Sequence, residues 1–284
     1  MISIIMPTHN RPPMIDMTLL SVLSQDYDDY EFIVVDVSPD KYFEDYVDNL
    51  LNVNPIFSMH KEKRNRVKIV HADCNPRLLG AVRTAGVKNA VQDNDMVVFL
   101  DHDDFLGNCL LKYINVALRQ YPDTELISTN YTSFCYSDGN ITTNMTTFMG
   151  GDVCGSSDTI WVGDMYFKFQ GPQDIYKMKH PWKTVSCPKI ISKKAMREHR
   201  FSFIEDTETM DDVAWSVLTH SLVETYIPIV GYVYVCYSSG YLTNSCDPKN
   251  TPSETAARYA EICKQYGEML DEMHYVKHRN EVFM

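Results

Sequence analysis

Met96-Val97-Val98-Phe99-Leu100-Asp101-His102-Asp103-Asp104-Phe105 is the stretch that decides how this chain folds. Five apolar residues run unbroken into three carboxylates within four positions. An apolar run of that length reads as a strand buried on both faces of a sheet. The acidic cluster then falls where the strand leaves the sheet, and open α/β sheets bind ligands outside the carboxyl ends of their strands. Carboxylates crowded at one strand end repel one another and require a compensating cation. Hard oxygen donors suit Mg2+ or Mn2+, and Mg2+ is usually held by one or two carboxylates together with substrate phosphate oxygens. The local alternative is that Asp103 or Asp104 caps a helix near 108–118.

Residues 2–36 repeat the theme twice. Ile2 to Met6 reads as a buried strand ended by Pro7, and Pro7 to Pro13 as a polar turn. Met14 to Gln25 carries Met14, Ile15, Met17, Leu19, Leu20, Val22 and Leu23 as the apolar side of a helix. Glu31 to Asp36 is a second buried strand with a carboxylate at its exit. Strand, turn, helix and strand within about 35 residues make a βαβ unit and hence a parallel sheet. Lys41 to Asn54 reads as a flanking helix, 61–68 as a solvated basic loop, and Val67 to His71 as a third strand. Leu78 to Val91 is a helix whose Ala81, Ala85, Val87 and Ala90 should meet the sheet. Its Arg83 either solvates the surface or reaches the crevice. Leu106 to Tyr121 reads as a helix, Glu125 to Tyr136 as a long strand, and 137–170 as hairpins or loops. A helix over 207–222, a strand over 227–236 and a terminal helix opened by the capping box Thr251-Pro252-Ser253-Glu254 complete the pattern.

Composition narrows the class. Hydrophobic content of 44% and charged content of 23% fit an ordinary globular chain. A net charge of −12 argues against general affinity for nucleic acid or acidic membranes. Residues 177–200 reverse that sign: Lys177, Lys179, Lys183, Lys189, Lys193, Lys194, Arg197 and Arg200 face only Glu198, eight bases against one acid. This favours an anionic ligand or acceptor there, against the simpler reading of a solvated face. Eight cysteines (74, 109, 135, 154, 187, 236, 246 and 263) form no C-x-x-C pair, which excludes a zinc ribbon and points to buried free thiols in a reducing compartment. With no signal-like start and no run of 18 apolar residues, a cytoplasmic location without a membrane span is expected.

As an ordered set these landmarks resemble family 2 of the GT-A glycosyltransferases. Ser3-Ile4-Ile5-Met6-Pro7-Thr8-His9-Asn10-Arg11 is similar to that family's opening strand and turn. Ser21-Val22-Leu23-Ser24-Gln25-Asp26-Tyr27 with Glu31 to Asp36 is similar to its first helix and second strand. Leu79-Gly80-Ala81-Val82-Arg83, leading to Phe99-Leu100-Asp101-His102-Asp103-Asp104, is similar to its central helix and D-x-D metal motif. Met210-Asp211-Asp212-Val213-Ala214-Trp215 is similar to its late acidic motif. The first three cover roughly residues 1–120.

The resemblance implies an α/β GT-A fold over 1–284: a mostly parallel central sheet flanked by helices, with a smaller mixed acceptor-side region. Residues 1–122 would bind the nucleotide sugar and 123–250 the acceptor, with 251–284 a helix covering the domain or a homodimer contact. It implies a metal-dependent, inverting transfer of a sugar from a nucleotide-diphosphate sugar to a hydroxyl. Pro7, Thr8, Asn10, Arg11, Asp36, Arg83, Asp101 and His102 would form the nucleotide-sugar site. Asp103 would ligate Mn2+ or Mg2+, with Asp101 meeting the ribose or the metal. Asp212 would be the general base, ahead of Asp211, and both ahead of Asp206. The family's second aspartate after the second strand, which helps read uracil, is here Val37, so UDP, GDP and dTDP donors all stay open. The acceptor would be a glycan, a protein, a small molecule or, given 177–200, a polyanion such as nucleic acid bearing a hydroxylated base. A nucleotidyltransferase or sugar-phosphate pyrophosphorylase would need a glycine-rich loop after the first strand, and 7–13 has no glycine. A non-catalytic domain of the same fold would have no need of the intact acidic cluster.

Overall fold

The computed structural model describes residues 1–10, 15–40, 42–91, 96–137, 140–144, 167–169, 189–198, 202–203, 205–206, 222 and 224–237 of the 284-residue chain. In chain order these form β1 (Ile2–Thr8), α1 (Ile15–Leu23), β2 (Tyr30–Asp36), α2 (Phe43–Val53), α3 (Pro55–Ser58), a 3-10 turn (Lys61–Arg66), β3 (Val67–His71), α4 (Leu79–Asn89), β4 (Met96–Phe99), β5 (Phe105–Leu106), α5 (Leu110–Gln120), β6 (Leu126–Ser137), β7 (Asn140–Asn144), β8 (Phe167–Phe169), β9 (Lys189–Ser192), α6 (Lys193–Glu198) and β10 (Glu224–Tyr237). The strands share one sheet in the order β3-β2-β1-β4-β9-β6-β10-β5, with β7 on β6 and β8 on β10.

Two halves meet at β4. On one side β3, β2, β1 and β4 are all parallel, and on the other β9 runs antiparallel between β4 and β6 while β10 returns parallel to β6. The unbroken apolar runs explain the parallel half. Every residue of β1 and β4 is buried, as are all of β2 except Glu31, which only a sheet covered on both faces permits. Successive strands step from β1 to β3 in one direction, and β4 then lies on the other side of β1. The gap between the carboxyl ends of β1 and β4 is therefore a topological switch point, where such sheets bind ligands.

Several boundaries differ from the sequence pattern, each for a local reason. β1 does not stop at Pro7 but runs to Thr8, pairing Pro7 with Val35 and Thr8 with Asp36. Ile5 turns its carbonyl toward β4 and Thr8 turns its own toward β2, so the N–H that Pro7 lacks would point where β4 has already ended. On α1 the buried stripe is Ile15, Thr18, Leu19, Val22 and Leu23, while Met17 falls off it and is 50% exposed. On α4 the buried residues are Gly80, Val82, Arg83 and Gly86, and Ala81, Ala85 and Val87 lie at the margin. Gly86 is the reason: a Cβ there would lie 2.3 Å from Ile5 Cγ2, so the helix meets the sheet through its glycine edge. The helix expected from Leu106 begins at Leu110. The backbone before it is already engaged, with Leu106 N–H on Ser21 Oγ, Gly107 N–H on the Gly231 carbonyl, and Phe105 and Leu106 paired to β10.

The basic segment over 61–68 is a pinned turn rather than a solvated loop. Lys63 Nζ donates to the Leu23 and Gln25 carbonyls, Arg64 pairs with Asp48 and Glu44, and Arg66 pairs with Asp28 and lies over the Tyr30 ring. Cys74 is half-buried and Cys109 exposed, both free, where buried thiols were expected. Among the described residues no helix is long and apolar enough to cross a membrane.

Candidate active site

Four parallel strands deliver their last residues to one edge. Thr8 ends β1, Asp36 ends β2, His71 ends β3, and Asp101 to Asp104 follow β4. The acidic segment is a tight turn closed by the Asp104 N–H on the Asp101 carbonyl at 3.1 Å. Neither Asp103 nor Asp104 caps α5, whose N-cap is Cys109 without a side-chain hydrogen bond. Asp104 instead accepts a hydrogen bond from the Tyr232 hydroxyl at 2.9 Å.

Arg83 reaches this turn from beneath. It is only 3% exposed, and its Nη2 donates to Asp101 Oδ1 at 2.9 Å. Its guanidinium lies 5.5 Å over the Phe203 ring, which packs edge-on against Phe99. Of the two roles weighed for Arg83 the structure selects the crevice. The ion pair is one-sided in burial, since the Asp101 side chain is 35% exposed. Asp101 is thus paired within the protein, and Asp103, two residues on, is the acid of the turn that could hold a cation.

Burial and the negative charge of Asp101 push the Asp103 carboxyl up to about 6. A carboxylate held at that cost favours a neighbouring cation. Among the described residues no three His, Cys, Asp or Glu side chains converge as a ligand set. His102, between the two acids, is driven down to about 4, chiefly by burial, against the opposing pull of Asp101 and with a smaller push from His9. It is therefore neutral at pH 7. Its Nδ1 lies 3.2 Å from Thr8 Oγ1, joining the ends of β4 and β1.

Asp36 is fully buried. Its Oδ1 accepts the Ser38 N–H at 2.9 Å, and its Oδ2, 3.4 Å from His71 Nδ1, makes no hydrogen bond among the described residues. Ser38 Oγ accepts the N–H of Asn10, which sits in the left-handed region at φ 54°. Asparagine tolerates that conformation better than most residues. The loops after β1 and β2 are so fastened together, carrying Pro7, Thr8, Asn10 and Asp36 as one unit. Arg11, Asp206's neighbours Asp211 and Asp212, the terminal helix, and Lys177, Lys179, Lys183 and Arg200 lie outside the described residues. Of the remaining bases, Lys193 is buried on the Ala90 and Val91 carbonyls at the end of α4, and Lys194 lies 3.8 Å from Glu198.

Residues that sequence reasoning missed hold the turn from behind. Thr18 and Ser21 of α1 and Gln25 just after it bond to the backbone of His102, Leu106, Gly107 and Leu111, and Tyr232 comes from β10. The available signals were faint: polar residues at spacings of three and four on an apolar helix, and a tyrosine inside an apolar strand, whose hydroxyl must find a partner when buried.

A helix-flanked sheet, parallel around its switch point and mixed beyond it, with an Asp-His-Asp turn at that point, is the GT-A architecture. The model of glycosyl transferase family 2 matches residues 3–138 of this chain. A curated relative, an uncharacterized glycosyltransferase of Haemophilus influenzae, is 33% identical over 144 residues, 49% of this chain and 50% of the relative. The match therefore spans half the length of that protein. Crystal structures of S. aureus TarS 1–349 align with 99% of this chain at 15% identity. One, covering 72% of the TarS chain, gives a TM-score of 0.59, and the complex with UDP-GlcNAc, covering 73%, gives 0.60. At that identity the likeness is one of fold.

Proposed function

We propose that this chain is a metal-dependent, inverting glycosyltransferase that moves a sugar from a nucleoside-diphosphate sugar to a hydroxyl group. The observation that carries this is the convergence of Thr8, Asp36, Arg83, Asp101 and Asp103 at the carboxyl ends of β1, β2 and β4. Asp103, assisted by Asp101, would hold Mn2+ or Mg2+, which when bound offsets the charge developing on the departing diphosphate. Thr8 and Asp36, with Pro7 and Asn10, would line the nucleoside side. His102, neutral and tied to Thr8, keeps the two strand ends in register. Arg83 anchors Asp101 and brings a fixed positive charge close to the diphosphate. Asp212 takes the proton of the acceptor hydroxyl as that oxygen attacks the anomeric carbon on the face opposite the leaving group. One displacement inverts the anomeric centre. The UDP-GlcNAc complex of TarS supports UDP-GlcNAc as the first donor to try.

The test is a melting-temperature panel of UDP-, GDP- and dTDP-sugars, with and without Mn2+, on wild type, Asp103→Ala and Asp212→Asn. A ligand at 100 times its dissociation constant stabilises by about 2.7 kcal/mol, a rise of several degrees. One nucleotide should raise the midpoint only with Mn2+ and not in Asp103→Ala, while Asp212→Asn should bind donor normally yet transfer no sugar. A chain that responds to no donor would sink the proposal.

A further inference from the structure

Tyr232 lies far outside the stretch that carries the family match, yet its hydroxyl sits directly behind the acidic turn. The oxygen accepts the Asp101 N–H at 3.1 Å and donates to Asp104 Oδ2 at 2.9 Å. Tyr232 is 1% exposed and Asp104 is likewise buried. Asp101 and Asp104 are the two ends of the turn, so one phenol ties both ends, with Asp103 between them.

β10 is shaped to place this group. Its pairing with β6 shifts register between Ile227 and Val230, and again between Val230 and Tyr232. Pro228 within that irregularity cannot donate to a ladder. Gly231 lies so close to β6 that a Cβ would sit 2.4 Å from Thr129 Oγ1. Irregularities of this kind bend a strand and re-aim the next side chain, and they occur beside active sites. The Gly231 carbonyl also accepts the Gly107 N–H at 2.9 Å, so the same bulge holds the chain on the far side of the turn. Val98, Phe99, Leu110, Thr129 and Ile190 line, with Gly231 and Tyr232, a crevice too narrow to hold a water.

We propose that Tyr232 is a positioning residue of the donor site: its paired hydrogen bonds set the angle at which the turn presents Asp103 to the metal and diphosphate. The inference rests on the glycosyltransferase reading. Its test compares wild type, Tyr232→Phe and Thr124→Val. Thr124 shares an equally buried hydrogen bond, 2.6 Å, with Thr225 near the start of β10, seven residues from Tyr232. Two quantities are measured: amide exchange at Asp101 in the ligand-free protein, and the dissociation constant for UDP in saturating Mn2+ by calorimetry. Tyr232→Phe should speed exchange at Asp101 and weaken UDP binding on the order of 10- to 100-fold, the range seen when a residue supporting a metal ligand is lost. Thr124→Val should lower the melting temperature comparably and change neither quantity.

Unchanged UDP binding by Tyr232→Phe, or equal weakening by Thr124→Val, would overturn the inference. Should Tyr232→Phe not fold, Asp104→Asn removes the charge that the phenol grips, and normal UDP binding by that variant overturns it equally. If wild type itself binds no UDP with Mn2+, the donor reading for UDP is what fails. The exchange rate at Asp101 then still decides whether Tyr232 holds the turn.

Discussion

Burial acts on His102 and Asp103 in opposite senses, and pH separates them. The His102 ring falls from the usual 6.5 to about 4, so the unfolded chain takes up its proton first as pH drops. Stability from neutral His102 is full above 6.5 and is lost toward 4. The Asp103 carboxyl rises from 3.8 to about 6, so the folded chain keeps its proton longer. Its contribution is full below 3.8 and is lost as pH climbs through 6. In metal-free buffer the two slopes oppose each other. Asp103→Asn should therefore gain melting temperature relative to wild type as pH rises from about 4 to 6, then level off. His102→Asn should gain relative to wild type as pH falls over the same range. Melting curves at half-unit steps check both, and differences that stay flat with pH would refute the assignment. Arg83→Met belongs to the same scale. It keeps an aliphatic stem against Phe203 but strips Asp101 of its guanidinium. Because Asp101 can recover water, the loss should be about 1–3 kcal/mol by urea unfolding, below the range for a fully buried pair.

α1 and the residues just after it work as a strap across the segment that follows β4. Thr18 Oγ1 donates to the His102 carbonyl at 2.9 Å, Ser21 Oγ accepts the Leu106 N–H at 3.1 Å, and Gln25 bonds both the Gly107 carbonyl at 2.8 Å and the Leu111 N–H at 3.2 Å. Gln25→Leu preserves volume but leaves both backbone groups without these bonds, and should cost about 1–3 kcal/mol by urea unfolding. α4 offers the converse test. Gly86→Ala drives a methyl toward Ile5 and Val35 and should cost about 1–3 kcal/mol. Adding Ile5→Ala should cost less than the sum of the two changes, since they share one contact. These elements also show what a sequence can and cannot disclose. β1, β2, β4 and the carboxylates at the ends of β2 and β4 were legible, because full burial writes an unbroken apolar run and a strand end is one residue wide. The start of α5, the buried edge of α4 and the reach of β1 past Pro7 were not. Each is decided by a partner distant in sequence: Gly231 for Gly107, Ile5 for Gly86, and the early end of β4 for Pro7. Tyr232 was hidden for the same reason, its two partners lying 131 and 128 residues away.

At the scale of the molecule, the family match and the folding unit do not coincide. The match ends at residue 138, but β4 needs β9, residues 189–192, along its second edge. β6 is flanked by β9 and β10 and would stand without either neighbour in a 1–138 fragment. β5 would lose β10, Phe99 would lose Phe203, and Asp104 would lose Tyr232. A parallel sheet left with an open, apolar edge strand is prone to pair with another chain. Residues 1–138 expressed alone should therefore aggregate or show no cooperative melt, and should bind no nucleoside diphosphate, although nearly every donor-side residue is present. The full chain makes the complementary case. Its three tryptophans, Trp161, Trp182 and Trp215, all lie beyond residue 138, so their fluorescence follows the second half while far-ultraviolet dichroism follows the whole. If the shared sheet couples the halves, the two signals should trace one transition with one midpoint. Separate midpoints, or a 1–138 fragment that melts cooperatively, would show that the donor half stands alone and that β9 and β10 merely decorate it.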